Sequence, residues 1–129
     1  MIYVKLCGMT SPRDARLAAD LGAQAIGLVF HAPSPRNVTP ERAREIAAAV
    51  AGAVHCVGVF VNEAPARVAE RVRFCGLTHA QLHGTEPLED ARALPVPVIK
   101  AFRVKRREDL AAIEPWRGIA EAILLDAQV

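Results

Sequence analysis

Short runs of β-branched and aliphatic residues recur about every 24 residues along this chain, each followed by a longer segment of helical periodicity. The runs predicted as strands are Ile2 to Leu6, Ala25 to Phe30, Val54 to Val61, His79 to His83, Val96 to Phe102 and Ala122 to Asp126. Between them apolar residues fall at helical spacing, as at Ala15, Ala18, Ala19 and Leu21. The boundaries are written locally. Ser11-Pro12 and Thr39-Pro40 each set a capping side chain before a proline at the first helical position. Gly22, Gly52 and Gly76 stand where helices should stop. Strands that alternate with helices are joined by crossovers, which makes the sheet parallel and the class α/β.

Two architectures compete for that pattern. Eight units at this spacing need about 200 residues, the lower end for a (β/α)₈ barrel of the TIM type. The chain has 129 residues and holds six units. An open doubly wound sheet suits the length better, yet the first β-α turn, CGMTSPRD, lacks the G-x-G-x-x-G phosphate cradle, and no P-loop follows elsewhere. The alternation alone thus establishes α/β and favours the barrel while leaving the open sheet in play.

Composition narrows the partners. With 52% hydrophobic and 23% charged residues the balance is globular. A net charge of +2 is too small for a nucleic-acid surface. Lys105-Arg106-Arg107 runs straight into Glu108 and Asp109 and reads as a solvated helix start. No apolar run approaches the roughly 20 residues of a membrane span, and the N-terminus has no basic-then-apolar leader. Cys7, Cys56 and Cys75 are odd in number and far apart, so neither a disulfide framework nor a zinc site is expected. A reducing cytoplasm is the expected location.

Alternation along strands then sorts the reactive side chains. In the first strand Ile2, Val4 and Leu6 share the face suited to helices, leaving Tyr3, Lys5 and Cys7 to look inward. Cys7 closes that strand, where barrel active sites are built. Gln81 and His83 share a face, as do Leu124 and Asp126. Each has a plainer reading: a free cysteine is usually a small buried hydrophobe, an aspartate can merely cap a turn, and a histidine before Gly84 can merely bond its loop. Arg36 lies in HAPSPRNV, where two prolines limit loop freedom and would present the guanidinium at low ordering cost.

The segments KLCGMT, GLVFHAPSPRNV, VGVFVN, QLHG, KAFRV and LLDA run in order from Lys5 to Ala127. Together they resemble phosphoribosylanthranilate isomerase, a (β/α)-barrel enzyme family of tryptophan biosynthesis, and the resemblance implies one domain over residues 1–129, a parallel (β/α)-barrel of the TIM type with about six of eight units, truncated after the sixth strand. The resemblance implies an Amadori rearrangement of a small phosphosugar substrate, with no cofactor and no metal. It implies Cys7 as general base, Asp126 as general acid, Arg36 as the partner of the anthranilate end, and His83 as a residue lining the substrate pocket. An aspartate acting as acid must keep its proton, and burial in the barrel mouth is the expected means.

Family members carry two further β-α units whose glycine-rich loops hold the substrate phosphate, so phosphate-binding residues are expected beyond Val129. A six-strand chain would leave its first and sixth strands unpaired and invite self-association through those edges. A non-catalytic partial barrel completed by a partner chain is the alternative from another class. A different phosphosugar barrel enzyme is a third, since fold alone does not fix chemistry.

Overall fold

The computed structural model describes residues 2–127. Six strands, β1 (Lys5–Cys7), β2 (Ala25–Val29), β3 (His55–Phe60), β4 (His79–Leu82), β5 (Val98–Val104) and β6 (Ala122–Ala127), form one parallel sheet in the order β1-β2-β3-β4-β5-β6. The connections carry helices α1 (Pro12–Asp20), α2 (Pro40–Ala49), α3 (Pro65–Cys75) and α4 (Leu88–Arg92), then a 3-10 helix (Arg107–Trp116).

A doubly wound sheet reverses its strand order at a switch point. Here each strand pairs only with its neighbours in sequence. Right-handed crossovers that always advance in one direction lay every helix on the same face. The sheet also curls. Strands two apart lie about 9.5 Å from each other in a flat sheet, yet His83 beside β4 reaches Asp126 on β6. Tyr3, leading into β1, likewise reaches His55 on β3, and His79 on β4 reaches Glu121 just before β6. Only a concave inner face lets these side chains meet. The architecture is a partial barrel of the TIM type, and the open sheet is set aside.

The local signals act as read. Ser11 Oγ accepts from the Asp14 amide and Thr39 Oγ1 from the Arg42 amide, each at 3.1 Å, with proline opening both helices. Gly76 ends α3 in the left-handed conformation, φ +72°. Strand ends moved more. β1 begins at Lys5 rather than Ile2, and β5 continues to Val104 because it stays in register with β6 from Ile99 to Val104. The basic run at 105–107 does start a helix: Asp109 Oδ2 accepts from the Lys105 and Arg106 amides at 2.8 Å.

The outer face of the sheet holds the core. Ile26, Leu28, Phe60, Leu82 and Val98 pack against Ala15, Ala18, Ile46, Val68 and Val72 of the helices. Alanine at the helix contacts lets the backbones approach, and each fully buried large aliphatic side chain contributes roughly 1.5–3 kcal/mol. The inner face is lined by Val57, Val59, Gln81 and Ala101, all buried. At the two flanks Leu17 of α1, Leu21 just after that helix, and Leu125 of β6 are exposed. No helix among the described residues is long and apolar enough to cross a membrane.

Candidate active site

Cys7 ends β1 and is exposed. Its register partner is Gly27, and a Cβ there would lie 2.6 Å from the Cys7 Sγ. Glycine on β2 is what leaves the thiol its space. The next residue, Gly8 (φ +86°), turns the chain out of the strand while the Gly8 and Met9 amides both donate to the Gly27 carbonyl at 3.0 Å. A Cβ on Gly8 would meet Arg36 Cδ at 2.5 Å, so the arginine side chain lies directly across this turn. Cys7 and Arg36 thereby share a cavity of about 440 Å³.

The loop that carries Arg36 is ordered by its own bonds. The Arg36 amide donates to Ser34 Oγ (3.1 Å), the Ser34 amide to the His31 carbonyl (2.9 Å), and Asn37 bridges to Val29 of β2. Among the described residues the guanidinium forms no ion pair. Its fork is left to a ligand or to solvent.

Asp126 lies on β6 in register with Arg103 of β5. Its Oδ2 is 3.2 Å from His83 Nε2, and His83 Nδ1 is 2.9 Å from Gln81 Nε2. The His83 amide is tied to the Phe60 carbonyl at 2.9 Å, which fixes the ring at the end of β4. The burial expected for Asp126 is not found. Its side chain is 47% exposed, against 20% for His83. The sixth strand is a flank of the described sheet, and a flank strand is covered on fewer sides than a central one.

The four predicted residues therefore fall into two pairs, Cys7 with Arg36 and His83 with Asp126. Both lie at the C-terminal ends of the strands, where this architecture binds substrates. The other cysteines do not join them. Cys56 and Cys75 are buried in the core, and burial pushes both thiols up. Among the described residues no group of three or more His, Cys, Asp or Glu side chains is arranged to hold a metal ion.

Sequence reasoning missed one buried pair. Lys100 Nζ is 2.9 Å from Glu86 Oε1 and donates to the Gly84 carbonyl at 2.7 Å. Both side chains are almost fully enclosed, 4% and 1% exposed. Glu86 also accepts from the Asn62 amide (2.8 Å) and the Gly84 amide (2.9 Å), which ties the loops after β3 and β4 to β5. Burial alone would raise the Glu86 carboxyl. The Lys100 ammonium and the amides of Asn62 and Glu86 itself outweigh it and hold the group below its ordinary value. Gly84 is required here, since a Cβ would sit 2.5 Å from Asn62 Oδ1. This clamp forms one wall of a cavity of about 410 Å³ that also meets His83, Phe102 and Trp116. The signal in the sequence was a lysine flanked by the apolar residues Val98, Ile99, Ala101 and Phe102 of β5.

Residues 4–129 match the family model described as N-(5'-phosphoribosyl)anthranilate isomerase. The chain belongs to this isomerase family. It is 48% identical over 128 residues to the N-(5'-phosphoribosyl)anthranilate isomerase of Geobacter sulfurreducens, covering 98% of this chain and 62% of that protein. The crystal structure of phosphoribosyl anthranilate isomerase from Thermotoga maritima superimposes with a TM-score of 0.94 at 38% identity, over all of this chain and 63% of that one. A further isomerase structure, in complex with reduced 1-(o-carboxyphenylamino)-1-deoxyribulose 5-phosphate, gives a TM-score of 0.87 at 33% identity, over all of this chain and 77% of that one. The chain thus spans less than two-thirds of the length of the Geobacter isomerase.

Proposed function

We propose that this protein isomerises N-(5-phosphoribosyl)anthranilate to 1-(2-carboxyphenylamino)-1-deoxyribulose 5-phosphate in tryptophan biosynthesis, with Cys7 as base and Asp126 as acid. An Amadori rearrangement needs two proton movements. A proton delivered to the furanose ring oxygen lets the bond from carbon 1 to that oxygen break, leaving an iminium between carbon 1 and the anthranilate nitrogen. Removal of the proton on carbon 2 then gives an enolamine, which tautomerises to the ketose. Asp126 supplies the first proton and Cys7 removes the second. No electrons enter or leave overall, so the step requires no redox cofactor.

The observation that carries this reading is the placement of Cys7 and Asp126 at the ends of β1 and β6, with Arg36 folded over Gly8 beside the thiol. Arg36 offers a planar fork that suits the anthranilate carboxylate, and His83 holds the acid from the neighbouring side. The related isomerase that binds the reduced ribulose phosphate carries an analogue of the same product class. The reaction is assigned to the cytoplasm, where its cysteine stays reduced.

The test follows loss of the substrate's anthranilate fluorescence in the intact protein. Cys7→Ala and Asp126→Asn should each lower kcat by roughly 10²–10⁴-fold with KM little changed, because a general acid or base acts mainly in the transition state. Cys56→Ala and Cys75→Ala serve as mild controls. Near-normal turnover by Cys7→Ala or by Asp126→Asn would overturn that residue's role.

A further inference from the structure

Gln81 lies on the inner face of β4, 2% exposed, two residues before His83 and on the same side of the strand. It makes no contact that the isomerase chemistry calls for. Its amide nitrogen is 2.9 Å from His83 Nδ1, while its carbonyl oxygen is buried with no hydrogen-bond partner among the described residues. An amide nitrogen can only donate. His83 Nδ1 must then accept, so the ring proton sits on Nε2, and Nε2 faces Asp126 Oδ2 at 3.2 Å.

The opposite amide orientation is worse on two counts. It would place the NH₂ group where the carbonyl now lies, and a buried N–H without an acceptor is rarer and costlier than an under-used carbonyl. In the neutral ring it would also force the proton onto Nδ1, so that Nε2 presented a lone pair to Asp126 whenever that carboxyl is ionised. The chain of donors therefore runs one way, from Gln81 to His83 to Asp126.

We infer that Gln81 is a positioning residue for the general acid, acting through His83 by fixing its Nε2–H tautomer. The consequence reaches the reacting proton. Oδ2 of Asp126 accepts from His83 in either protonation state of the carboxyl, which leaves Oδ1 as the oxygen that carries the acid proton. The carboxyl is also held in one rotation although it is half exposed. Rotational freedom of a proton donor is costly, since a misplacement of about 1 Å can lower a rate on the order of 100-fold. The identity of the reaction rests on the isomerase reading above; the direction of the hydrogen bonds does not.

Two measurements on the intact protein separate them. Long-range ¹H–¹⁵N correlation spectra of the histidine rings should give His83 a protonated Nε2 and a bare Nδ1 in the wild type. Gln81→Glu keeps the shape but replaces the donor by an acceptor, so Nδ1 should become protonated. Gln81→Met, which neither donates nor carries charge, should leave the two tautomers mixed. In the isomerase assay both variants should lose about ten-fold or more in kcat with KM held within about two-fold, the pattern of a misaligned acid and not of a weakened site. A wild-type His83 protonated on Nδ1 would overturn the proposal. So would an Nδ1–H tautomer with a bare Nε2 in Gln81→Glu while kcat stays put. A wild-type protein with the Nε2–H tautomer but no isomerisation would support the hydrogen-bond order and strike only the assignment of the reaction.

Discussion

Replacing Glu86 by glutamine tests the buried clamp behind the candidate site. The carboxylate accepts three bonds, from Lys100 Nζ, the Asn62 amide and the Gly84 amide. Glutamine has the same outline but one accepting oxygen. If that oxygen stays on Lys100 and Gly84, the new NH₂ faces the Asn62 N–H, donor against donor. If it turns to Asn62, both Lys100 and Gly84 lose their acceptor. Either way a backbone donor is orphaned, at about 1–3 kcal/mol, and a charge-assisted bond worth about 1.5–3 kcal/mol is lost or weakened. Breaking one side of a buried ion pair costs about 3–5 kcal/mol overall. Urea unfolding of the intact protein should show that loss for Glu86→Gln and a similar one for Lys100→Met. The double variant should cost less than their sum by about 1–3 kcal/mol, because it removes both charges together. The acid limb adds a second readout. The folded state holds the Glu86 carboxyl below its ordinary value of 4.5. Its contribution is therefore complete above about pH 4.5 and fades as pH falls through the lower folded-state value. Glu86→Gln should flatten that part of the stability profile. A cost under about 1 kcal/mol, or single costs that simply add, would refute the clamp.

Arg36→Ala should raise KM for the isomerisation by at least ten-fold, and Arg36→Lys should restore only part of it, because the ammonium lacks the fork; equal affinity for a carboxylated product analogue, read by calorimetry, would return Arg36 to an ordinary loop residue. Gly27→Ala would put a methyl 2.6 Å from Cys7 Sγ and 3.1 Å from Cys7 Cα. It should lose kcat on the order of ten-fold or more while costing about 1–3 kcal/mol of stability, and unchanged kinetics would show that the thiol's place is not critical.

What the sequence disclosed depended on how far each signal reaches. Helix starts at Ser11 and Thr39 were legible because a cap and its amide lie three residues apart. The shared face of Gln81 and His83 was legible because strand alternation is also local. The bond between His83 and Asp126 was not, since it exists only once the sheet has curled across β5. Barrel against open sheet could not be read from the β-α alternation, which both share; the family motifs pointed to the barrel, and the consecutive strand order bears that out. The partner of Lys100 was not legible, because the loop bearing Glu86 reaches it only in the folded chain. The exposure of Asp126 ran against expectation because a strand's number in sequence does not reveal how much covers it.

The strictly consecutive strand order also bears on how such a chain comes off the ribosome. Each strand's upstream partner is the one made just before it, within about 30 residues, as in Lys5 with Ala25 and Ala25 with His55. At roughly 5–20 residues per second, a β-α unit emerges within seconds of the template it needs. Each added strand finds its template already made, and besides the outer edge of β1 the only edge open at any moment is that of the newest unit. A doubly wound sheet of equal length must instead reverse direction and return to an early strand to build on its other side. Vectorial growth of this kind shortens the time during which apolar surface is available for wrong partners.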